Sequence, residues 1–514
     1  MGYWSIYFLA KLGLFYSGYL GFHWLANLIF AIALVLPLAS SRSQLIRKLL
    51  AFPVGLALLY YDSWLPPIMR TLSQVGNLAG FDRGYLLELL GRFVNVWILS
   101  ALICLLVVFL LLRHRLRFAT LVFLGILNVA FTHMDDKATS SVLSNPISMV
   151  GNAAATVQDP NTELASFYTA ERQKHVNFQS ISNSTAPFDV VFLHVCSLSW
   201  DDLNYIGESD EPLLKRFDVV FHQFNSAASY SGPAALRLFH SNCGQLPHHA
   251  LYEPGPQQCN LFKSFEEAGF DVHGLLNHDG HFDHFAAEVE GESGVGRKLE
   301  DNRFAPVFMR SFDDTPIYED YDLLSRWWGQ QGISAKPRAL YYNTISLHDG
   351  DIIPGVSSRH SLETYKPRLD KLMSDFDRFI TFLEQQGRPV VVILVPEHGA
   401  ALRGDKMQIS GMREIPNPSI TIVPAAIKLV GFKGKTGGPI QVDKPVSYTA
   451  ISTLLADFIA DSPFAVSGGK PLADRVQNLP ETPFVSENAD VVVMRRGNGY
   501  VMRSQDGIWV NYQP

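Results

Sequence analysis

The chain has 514 residues and a formal net charge of −7 at pH 7, and this length accommodates about two or three domains. A nucleic-acid-binding domain carries a basic surface, so the acidic balance excludes nucleic acid as a partner. The hydrophobic residues are unevenly distributed, and the long apolar stretches lie mostly before residue 133.

Five apolar stretches in this first part approach the roughly 20 residues that a helix needs to cross a bilayer. We predict helices over residues 4–19, 21–39, 49–65, 93–112 and 118–133. The first stretch carries Lys11, so a second interpretation places it along the membrane surface. Residues 1–133 are therefore predicted to form a five-helix transmembrane domain.

Two basic loops set the predicted orientation of these helices. Arginine and lysine cluster at residues 42–48 and again at residues 113–117, and loops of this composition stay in the cytoplasm. Five crossings then place everything after about Thr132 on the outer side of the membrane. If the first stretch does not cross, the C-terminal region is still exported.

The exported part divides into a tether, a large domain and a small addition. Residues 134–187 are polar and predict a tether that is partly helical near residues 163–173. Between residues 188 and 480, strand-like and helical patterns alternate, which predicts an α/β domain with a mainly parallel sheet covered by helices on both faces. Residues 481–514 predict small antiparallel strands at 491–494, 500–502 and 509–510. Within the large domain, the predicted strands cover residues 190–195, 219–224, 272–276, 339–346, 390–395 and 420–426, and the predicted helices cover residues 260–268, 361–386 and 448–459.

Metal-binding residue types follow two of these strands directly. Cys196 follows the first strand, and Glu397 and His398 follow the strand at 390–395. Ligands of open α/β sheets bind at the carboxyl ends of the strands. A thiolate, a carboxylate and an imidazole leaving one edge predict a three-ligand zinc site with a vacant fourth position.

Ser231 is the predicted nucleophile. Pro233 suits the first turn of a helix, so Ser231 is expected at or next to the helix N-terminus, where free N–H groups attract a phosphate. A plain capping role is the alternative for an isolated serine. A metal nearby favours the catalytic interpretation, with the Ser231 oxygen in the fourth metal position.

The four cysteines are consistent with export. Cys243 and Cys259 bracket a short loop, and we predict a disulfide between them in an oxidising compartment. Closing a loop of this length contributes about 3 kcal/mol in the chain-entropy description. Cys104 lies in a predicted membrane helix as a small apolar residue. Cys196 remains unpaired, which agrees with its assignment as a metal ligand.

Three blocks of the sequence resemble the active-site blocks of the alkaline phosphatase superfamily, in its branch of membrane-anchored phosphoethanolamine transferases. The usual members of this branch, which modify lipid A, have a glutamate at the position of Cys196, a threonine at that of Ser231 and an aspartate before the histidine. Those departures resemble the pattern of cellulose phosphoethanolamine transferases of enteric-type bacteria. The three blocks are residues 188–197, 230–233 and 396–399.

The resemblance implies an alkaline-phosphatase-like zinc domain in the periplasm, carried by a multi-pass domain in the bacterial inner membrane. It implies that Cys196, Glu397 and His398 bind zinc and that Ser231 carries a covalent phosphoethanolamine intermediate. The implied donor is phosphatidylethanolamine, and the implied acceptor is cellulose, at the primary hydroxyl of its glucose units. Other subunits of the cellulose synthase secretion machinery are the implied protein partners.

Three further residues are candidates for roles in catalysis. Arg413 is predicted to pair with phosphate oxygens, and His348 to protonate the leaving alkoxide. Tyr230 is predicted to orient the phosphate or a sugar. For each residue the alternative is an ordinary structural role. The histidine-rich cluster at residues 278–284 is interpreted as a polar loop, because no strand end presents it.

Other functions remain open from the sequence. A phosphoglycerol transferase or a phosphatase of the same superfamily would use the same residues. A sulfatase is disfavoured, because Ala235 occupies the position where that family has an arginine. A non-catalytic scaffold of a polysaccharide secretion complex is the alternative from a different class.

Overall fold

The computed structural model describes residues 1–65, 81–142, 159–181, 186–295, 299–332, 336–356, 361–434, 437–465 and 469–513, without the side chains of residues 133–142. Contacts divide the chain into two units. The N-terminal unit comprises Met1–Val75, Leu89–Asp159 and Asp405–Ile409, and the C-terminal unit comprises Gly76–Glu88, Pro160–Gly404 and Ser410–Pro514. The predicted domain boundaries after residues 133, 187 and 480 stay predictions.

Five helices of the N-terminal unit overlap the predicted stretches, at Trp4–Tyr16, Trp24–Val35, Ser41–Tyr61, Val96–Leu112 and Phe118–Val142. The third begins at Ser41 rather than at residue 49, so the basic residues 42–48 lie in its first turns and not in a loop. Among the described residues, Ser41–Tyr61 alone is a single helix of sufficient length and hydropathy to cross a membrane. Arg83–Arg92 and Val96–Leu112, bent by 54°, pass the same test as a pair. Helices Trp4–Tyr16 and Trp24–Val35, and the apolar part Phe118–Thr132 of the last helix, are shorter than a full span, so five crossings stay a prediction.

A buried polar cluster ties helices of the N-terminal unit together. Lys11 was the reason for the second interpretation, in which the first stretch lies along the membrane surface. In the structure it is 1% exposed and forms an ion pair with Asp62. The Asn27 side chain accepts from Lys11 Nζ at 2.8 Å and donates to Asp62 Oδ2 at 2.7 Å. His23 Nδ1 lies 2.7 Å from Asp62 Oδ1. The charge of Lys11 is therefore compensated inside the unit.

A seven-stranded mixed sheet forms the centre of the C-terminal unit. In chain order its strands are β1 (Asp189–Cys196), β2 (Val219–Phe221), β3 (Asp271–Leu276), β4 (Arg338–Thr344), β5 (Val390–His398), β6 (Ala426–Val430) and β7 (Ile440–Val442), and they lie in the order β7-β2-β6-β5-β1-β4-β3. The neighbours β3, β4, β1 and β5 run parallel, whereas β6 is antiparallel to β5 and β2. The α/β class is confirmed, and β6 makes the sheet mixed.

Helices cover both faces of this sheet, as predicted. Successive side chains of β1 point to opposite faces, so Phe192 packs in one hydrophobic core and Leu193 in the other. The first core is shared with helices Ser231–Phe239, Leu261–Ala268, Phe285–Glu292, Tyr448–Ala460 and Leu472–Gln477. The second core is shared with helices Trp200–Tyr205, Asp320–Gln330 and Tyr365–Gln386.

The prediction of one strand over residues 420–426 is wrong. The side chain of Asn417 accepts a hydrogen bond from the Ile420 N–H, and Pro418 fits a first helical turn, so the short helix Pro418–Thr421 forms instead. Strand Ile422–Val423 then pairs with Phe224–Asn225 in a separate two-stranded sheet. The strand of the main sheet begins only at Ala426.

The C-terminal residues form a four-stranded antiparallel sheet. Its strands are Val485–Glu487, Val492–Arg496, Gly499–Arg503 and Trp509–Tyr512. Helix Pro160–Glu171 packs against it through Leu164 and Phe167. This part of the predicted tether is thus a docked helix, while residues 143–158 and 182–185 of the tether lie outside the described residues. A separate hairpin pairs Val307–Arg310 with Pro316–Tyr318.

The predicted disulfide between Cys243 and Cys259 is present. It closes a loop immediately after helix Ser231–Phe239. Cys104 and Cys196 are free thiols, the first exposed in helix Val96–Leu112 and the second buried at the end of β1.

Candidate active site

Cys196, Glu397 and His398 converge at one edge of the sheet, as the sequence predicted. Cys196 ends β1, and Glu397 and His398 end the neighbouring parallel strand β5. Their candidate ligand atoms all lie within 4.8 Å of one another. His398 Nε2 lies 3.8 Å from Cys196 Sγ and 3.7 Å from Glu397 Oε2. Within the described part of the chain, this is the one group of three or more such side chains arranged to hold a metal.

The bonding of these side chains fits a metal cation between them. His398 Nδ1 donates to the Gly399 carbonyl at 3.0 Å, which directs the lone pair of Nε2 towards the cluster. Glu397 Oε2 is buried and has no hydrogen-bond partner within the described residues. A buried carboxylate oxygen without a partner is unfavourable, and coordination of a cation would satisfy it.

Burial disfavours the charged form of each of the three groups. It raises the pKa of Cys196 to about 12, with the Glu397 carboxylate adding to the effect. It raises the pKa of Glu397, and it lowers the pKa of His398 well below the usual range. A bound cation would reverse the first two shifts, because it favours the thiolate and the carboxylate.

Ser231 lies at the start of helix Ser231–Phe239 with its hydroxyl directed at this cluster. Ser231 Oγ donates to Cys196 Sγ at 3.5 Å. The N-cap residue is Tyr230, in extended backbone conformation and without a side-chain capping bond. The Ser231 hydroxyl therefore bonds to the ligand cluster. Its hydrogen bonding does not support the alternative, in which Ser231 only caps the helix.

Arg413 brings a positive charge to the same place. Its Nη1 atom donates to Ser197 Oγ at 3.1 Å. The guanidinium opposes the upward pKa shifts of Cys196 and Glu397 and helps to lower the pKa of His398. One cation thus acts on all three candidate ligands, in a position suited to bind an anion beside them.

His348 and Tyr230 lie beside Arg413 with different hydrogen bonds. His348 Nδ1 donates to the Asp349 carbonyl at 2.7 Å. Burial, followed by the charge of Arg413, lowers the pKa of His348 to about 4, so the ring is neutral at pH 7 and its Nε2 is an acceptor. The Tyr230 hydroxyl donates to Glu414 Oε1 at 2.6 Å, and its ring centre lies 5.8 Å from Arg413 Cζ.

Two families together match nearly the whole chain. Residues 148–509 match the family described as "Cellulose biosynthesis protein BcsG C-terminal domain", and residues 4–131 match the BcsG N-terminal domain. The chain belongs to the BcsG family. It is 39% identical to "Cellulose biosynthesis protein BcsG" of Salmonella typhimurium and 38% identical to the Escherichia coli protein of the same name. Each comparison covers 99% of this chain and 96% of the relative.

Among the similar solved structures is a member of the alkaline phosphatase superfamily from Vibrio parahaemolyticus. Its TM-score is 0.49 and its sequence identity is 14%, and the comparison covers 69% of this chain and 88% of that chain. The integral membrane lipooligosaccharide phosphoethanolamine transferase A of Neisseria meningitidis has a TM-score of 0.44 and 14% identity, over 78% of this chain and 82% of that chain.

In this BcsG-family chain the histidine-rich residues 278–284, interpreted from the sequence as a polar loop that no strand end presents, come just after the carboxyl end of β3, and Phe282–His284 form a short 3-10 helix. His281 is exposed and pairs with Asp279 at 2.8 Å. His278 is buried; its Nδ1 accepts from the Gly280 N–H and its Nε2 donates to Asn343 Oδ1 at 2.9 Å. His278 thus contributes to the support of the site.

Asn343 is the residue that sequence reasoning missed. It lies in β4, opposite His194 of β1, and its Nδ2 atom donates to Glu397 Oε1 at 2.5 Å. His278, Asn343 and Glu397 form a hydrogen-bonded series that fixes the carboxylate. The available signal was an asparagine inside a buried apolar strand, because a buried amide needs partners.

Proposed function

We propose that this BcsG-family protein transfers phosphoethanolamine from phosphatidylethanolamine to hydroxyl groups of cellulose, at C6 of its glucose units. Ser231 carries the group between donor and acceptor. The observation that carries the proposal is the Ser231 hydroxyl, 3.5 Å from Cys196 Sγ and at a helix N-terminus beside the ligand cluster. The curated relatives at 38–39% identity are named for cellulose biosynthesis, which supports cellulose as the acceptor.

Zinc is the metal that the ligand set favours, because it accepts sulfur, nitrogen and oxygen together. Cys196, Glu397 and His398 would hold it, and Glu397 Oε2, which accepts no hydrogen bond within the described residues, supports this assignment. When bound, zinc supplies positive charge that lowers the pKa of a nearby hydroxyl and stabilises charge on a phosphoryl group.

The reaction consists of two displacements at phosphorus. In the first, Ser231 Oγ bonds to the phosphorus, the bond to the diacylglycerol oxygen breaks, and the serine proton passes to that oxygen. In the second, a sugar hydroxyl bonds to the phosphorus, the bond to Ser231 Oγ breaks, and the sugar proton passes to the serine. Arg413 and the N–H groups at the start of the helix stabilise the phosphate charge in both.

His348 relays the protons in this scheme. Because its pKa is about 4, the ring is neutral at pH 7, and because Nδ1 donates to the Asp349 carbonyl, Nε2 is free to accept a proton. It takes the proton from the attacking hydroxyl and returns it to the leaving oxygen. Tyr230 packs near Arg413 and orients the phosphate.

We place the protein in the bacterial inner membrane as a multi-pass protein, with the C-terminal unit in the periplasm. The disulfide between Cys243 and Cys259 supports an oxidising compartment. The apolar helices of the N-terminal unit support membrane insertion and leave surfaces for other subunits of the cellulose secretion machinery.

The test is the intact mass of the full-length protein after incubation with phosphatidylethanolamine. We expect a gain equal to one phosphoethanolamine, mapped to Ser231, and its loss on addition of a soluble glucan. Ser231→Ala is the matched control, expected to bind zinc but to gain no mass. A wild-type protein that binds zinc and gains no mass would favour the scaffold alternative, and an adduct on Ser231→Ala would exclude this nucleophile.

A further inference from the structure

Glu288 lies directly against the turn that contains the nucleophile. It belongs to helix Phe285–Glu292, which packs beside helix Ser231–Phe239. A Cβ atom placed on Gly232 would lie 2.7 Å from Glu288 Oε2 and 3.6 Å from Oε1. The carboxylate therefore occupies the space that a side chain at position 232 would need, next to Ser231 in the chain.

This carboxylate has no partner of its own. Within the described residues it makes no hydrogen bond and no ion pair, although the side chain is only partly exposed. Its charged neighbours are Asp283 and Glu292, and both raise its pKa, which reaches about 7 with burial as the largest cause. Within the part of the chain that the structure describes, this carboxylate next to the nucleophile is thus not paired with a cation.

Charges of opposite sign lie near Ser231. Arg413 lies near the metal-ligand cluster, where its Nη1 donates to Ser197 Oγ at 3.1 Å, and Glu288 lies against Gly232. A phosphoethanolamine headgroup is zwitterionic, with a phosphate and an ammonium separated by two carbon atoms. A phosphoethanolamine group on Ser231 therefore needs a cation near its phosphate and an anion near its ammonium.

We propose that Glu288 binds the ammonium group of the donor headgroup and thereby selects phosphoethanolamine over phosphoglycerol. This inference rests on the proposed function and names a determinant of its donor specificity. The ammonium stays attached to the phosphate when diacylglycerol leaves, so Glu288 holds it in both displacements. Glycerol offers hydroxyl groups but no positive charge, and it leaves the partly buried carboxylate uncompensated.

A purely structural role for Glu288 is the competing explanation. A carboxylate near a helix N-terminus stabilises the helix dipole, and its loss would then lower stability without changing the choice of donor. The choice of donor is therefore the readout that separates the two roles.

The experiment uses the full-length protein in an equimolar mixture of phosphatidylethanolamine and phosphatidylglycerol. Intact mass gives the ratio of the phosphoethanolamine and phosphoglycerol adducts on Ser231. This ratio does not depend on the amount of folded protein. Glu288→Gln removes the charge and keeps the shape, and Glu292→Gln is the matched control, which removes a charge one turn later on the same helix.

We expect Glu288→Gln to lower the ratio by roughly 10- to 100-fold, the effect of losing one charge-assisted hydrogen bond. We expect Glu292→Gln to keep the wild-type ratio and both variants to keep their zinc. An unchanged ratio in Glu288→Gln overturns the inference, whether or not the melting temperature falls. A wild-type protein with neither adduct overturns the proposed function and this inference with it.

Discussion

The two units each contain a buried cluster of charged side chains, and the clusters differ in how completely they are paired. In the N-terminal unit, Asp62 interacts with Lys11, His23 and Asn27. In the C-terminal unit, Glu397 Oε2 is buried without a hydrogen-bond partner within the described residues, and the partly buried Glu288 carboxylate makes no hydrogen bond or ion pair there. Of these carboxylates, those of the second unit leave acceptor atoms without hydrogen bonds.

This difference separates a structural role from a binding role. A buried charge that has all its hydrogen bonds is compensated by the fold itself. A buried carboxylate that lacks partners costs free energy in the empty protein, and a cationic ligand recovers that free energy on binding. We therefore infer that the Lys11–Asp62 cluster serves helix packing, and we propose that the Glu397 and Glu288 carboxylates bind cationic ligands.

The largest expected effect is that of Glu397→Gln. The amide keeps the shape of the side chain but removes the negative charge that a metal needs, so we expect zinc affinity and adduct formation to fall by at least about 100-fold. Metal analysis by mass spectrometry and the intact-mass assay measure the two losses. A variant with a full equivalent of zinc would show that Glu397 is not a ligand.

Asp62→Ala is expected to act on stability instead. It leaves Lys11 buried without its counter-charge, which costs roughly 3–5 kcal/mol, so we expect a lower melting temperature in detergent. The double variant Lys11→Met, Asp62→Leu removes both charges and should recover most of that loss. Zinc content should stay at the wild-type level in both. A loss of zinc at unchanged melting temperature would contradict the division between the two clusters.

The smallest expected effect is a pH-dependent stabilisation by Glu288→Gln. The pKa of Glu288 is raised from 4.5 to about 7 in the fold, so the protonated form is favoured in the folded state. Ionisation of Glu288 therefore lowers the free energy of unfolding by its full amount above about pH 7 and has no effect below pH 4.5. Without donor lipid, the variant should therefore melt above the wild type at pH 8 and close to it at pH 4.5. If the variant and the wild type had equal melting temperatures at pH 8 as well as at pH 4.5, the ionised carboxylate would not destabilise the folded protein.

The sequence indicated the ligand cluster because the strand ends could be read from apolar runs. Because β1 and β5 are parallel neighbours, the residues at their carboxyl ends lie at the same edge of the sheet. The positions of the strand ends were therefore enough to predict that Cys196 lies beside Glu397 and His398. The position of Ser231 at a helix start could also be predicted from the local sequence, because Pro233 is typical of a first helical turn.

Contacts between distant segments could not be read in this way. Asn343 supports Glu397 only through the register between β4 and β1. Glu288 approaches Gly232 through the packing of two helices that are far apart in the chain. The wrong prediction of a strand over residues 420–426 has a local cause. The residues are apolar and suit a strand, but Asn417 and Pro418 directly before them start a helix.

Asn488 connects the C-terminal sheet to the loop that carries Arg413. Its side chain donates to the carbonyls of Arg413 and Glu414, at 3.1 and 2.8 Å, and to Ser229 Oγ at 2.8 Å. The loop that presents the guanidinium is thus held by the residue that directly follows strand Val485–Glu487. The antiparallel sheet, which carries none of the candidate ligands, therefore helps to set the position of Arg413.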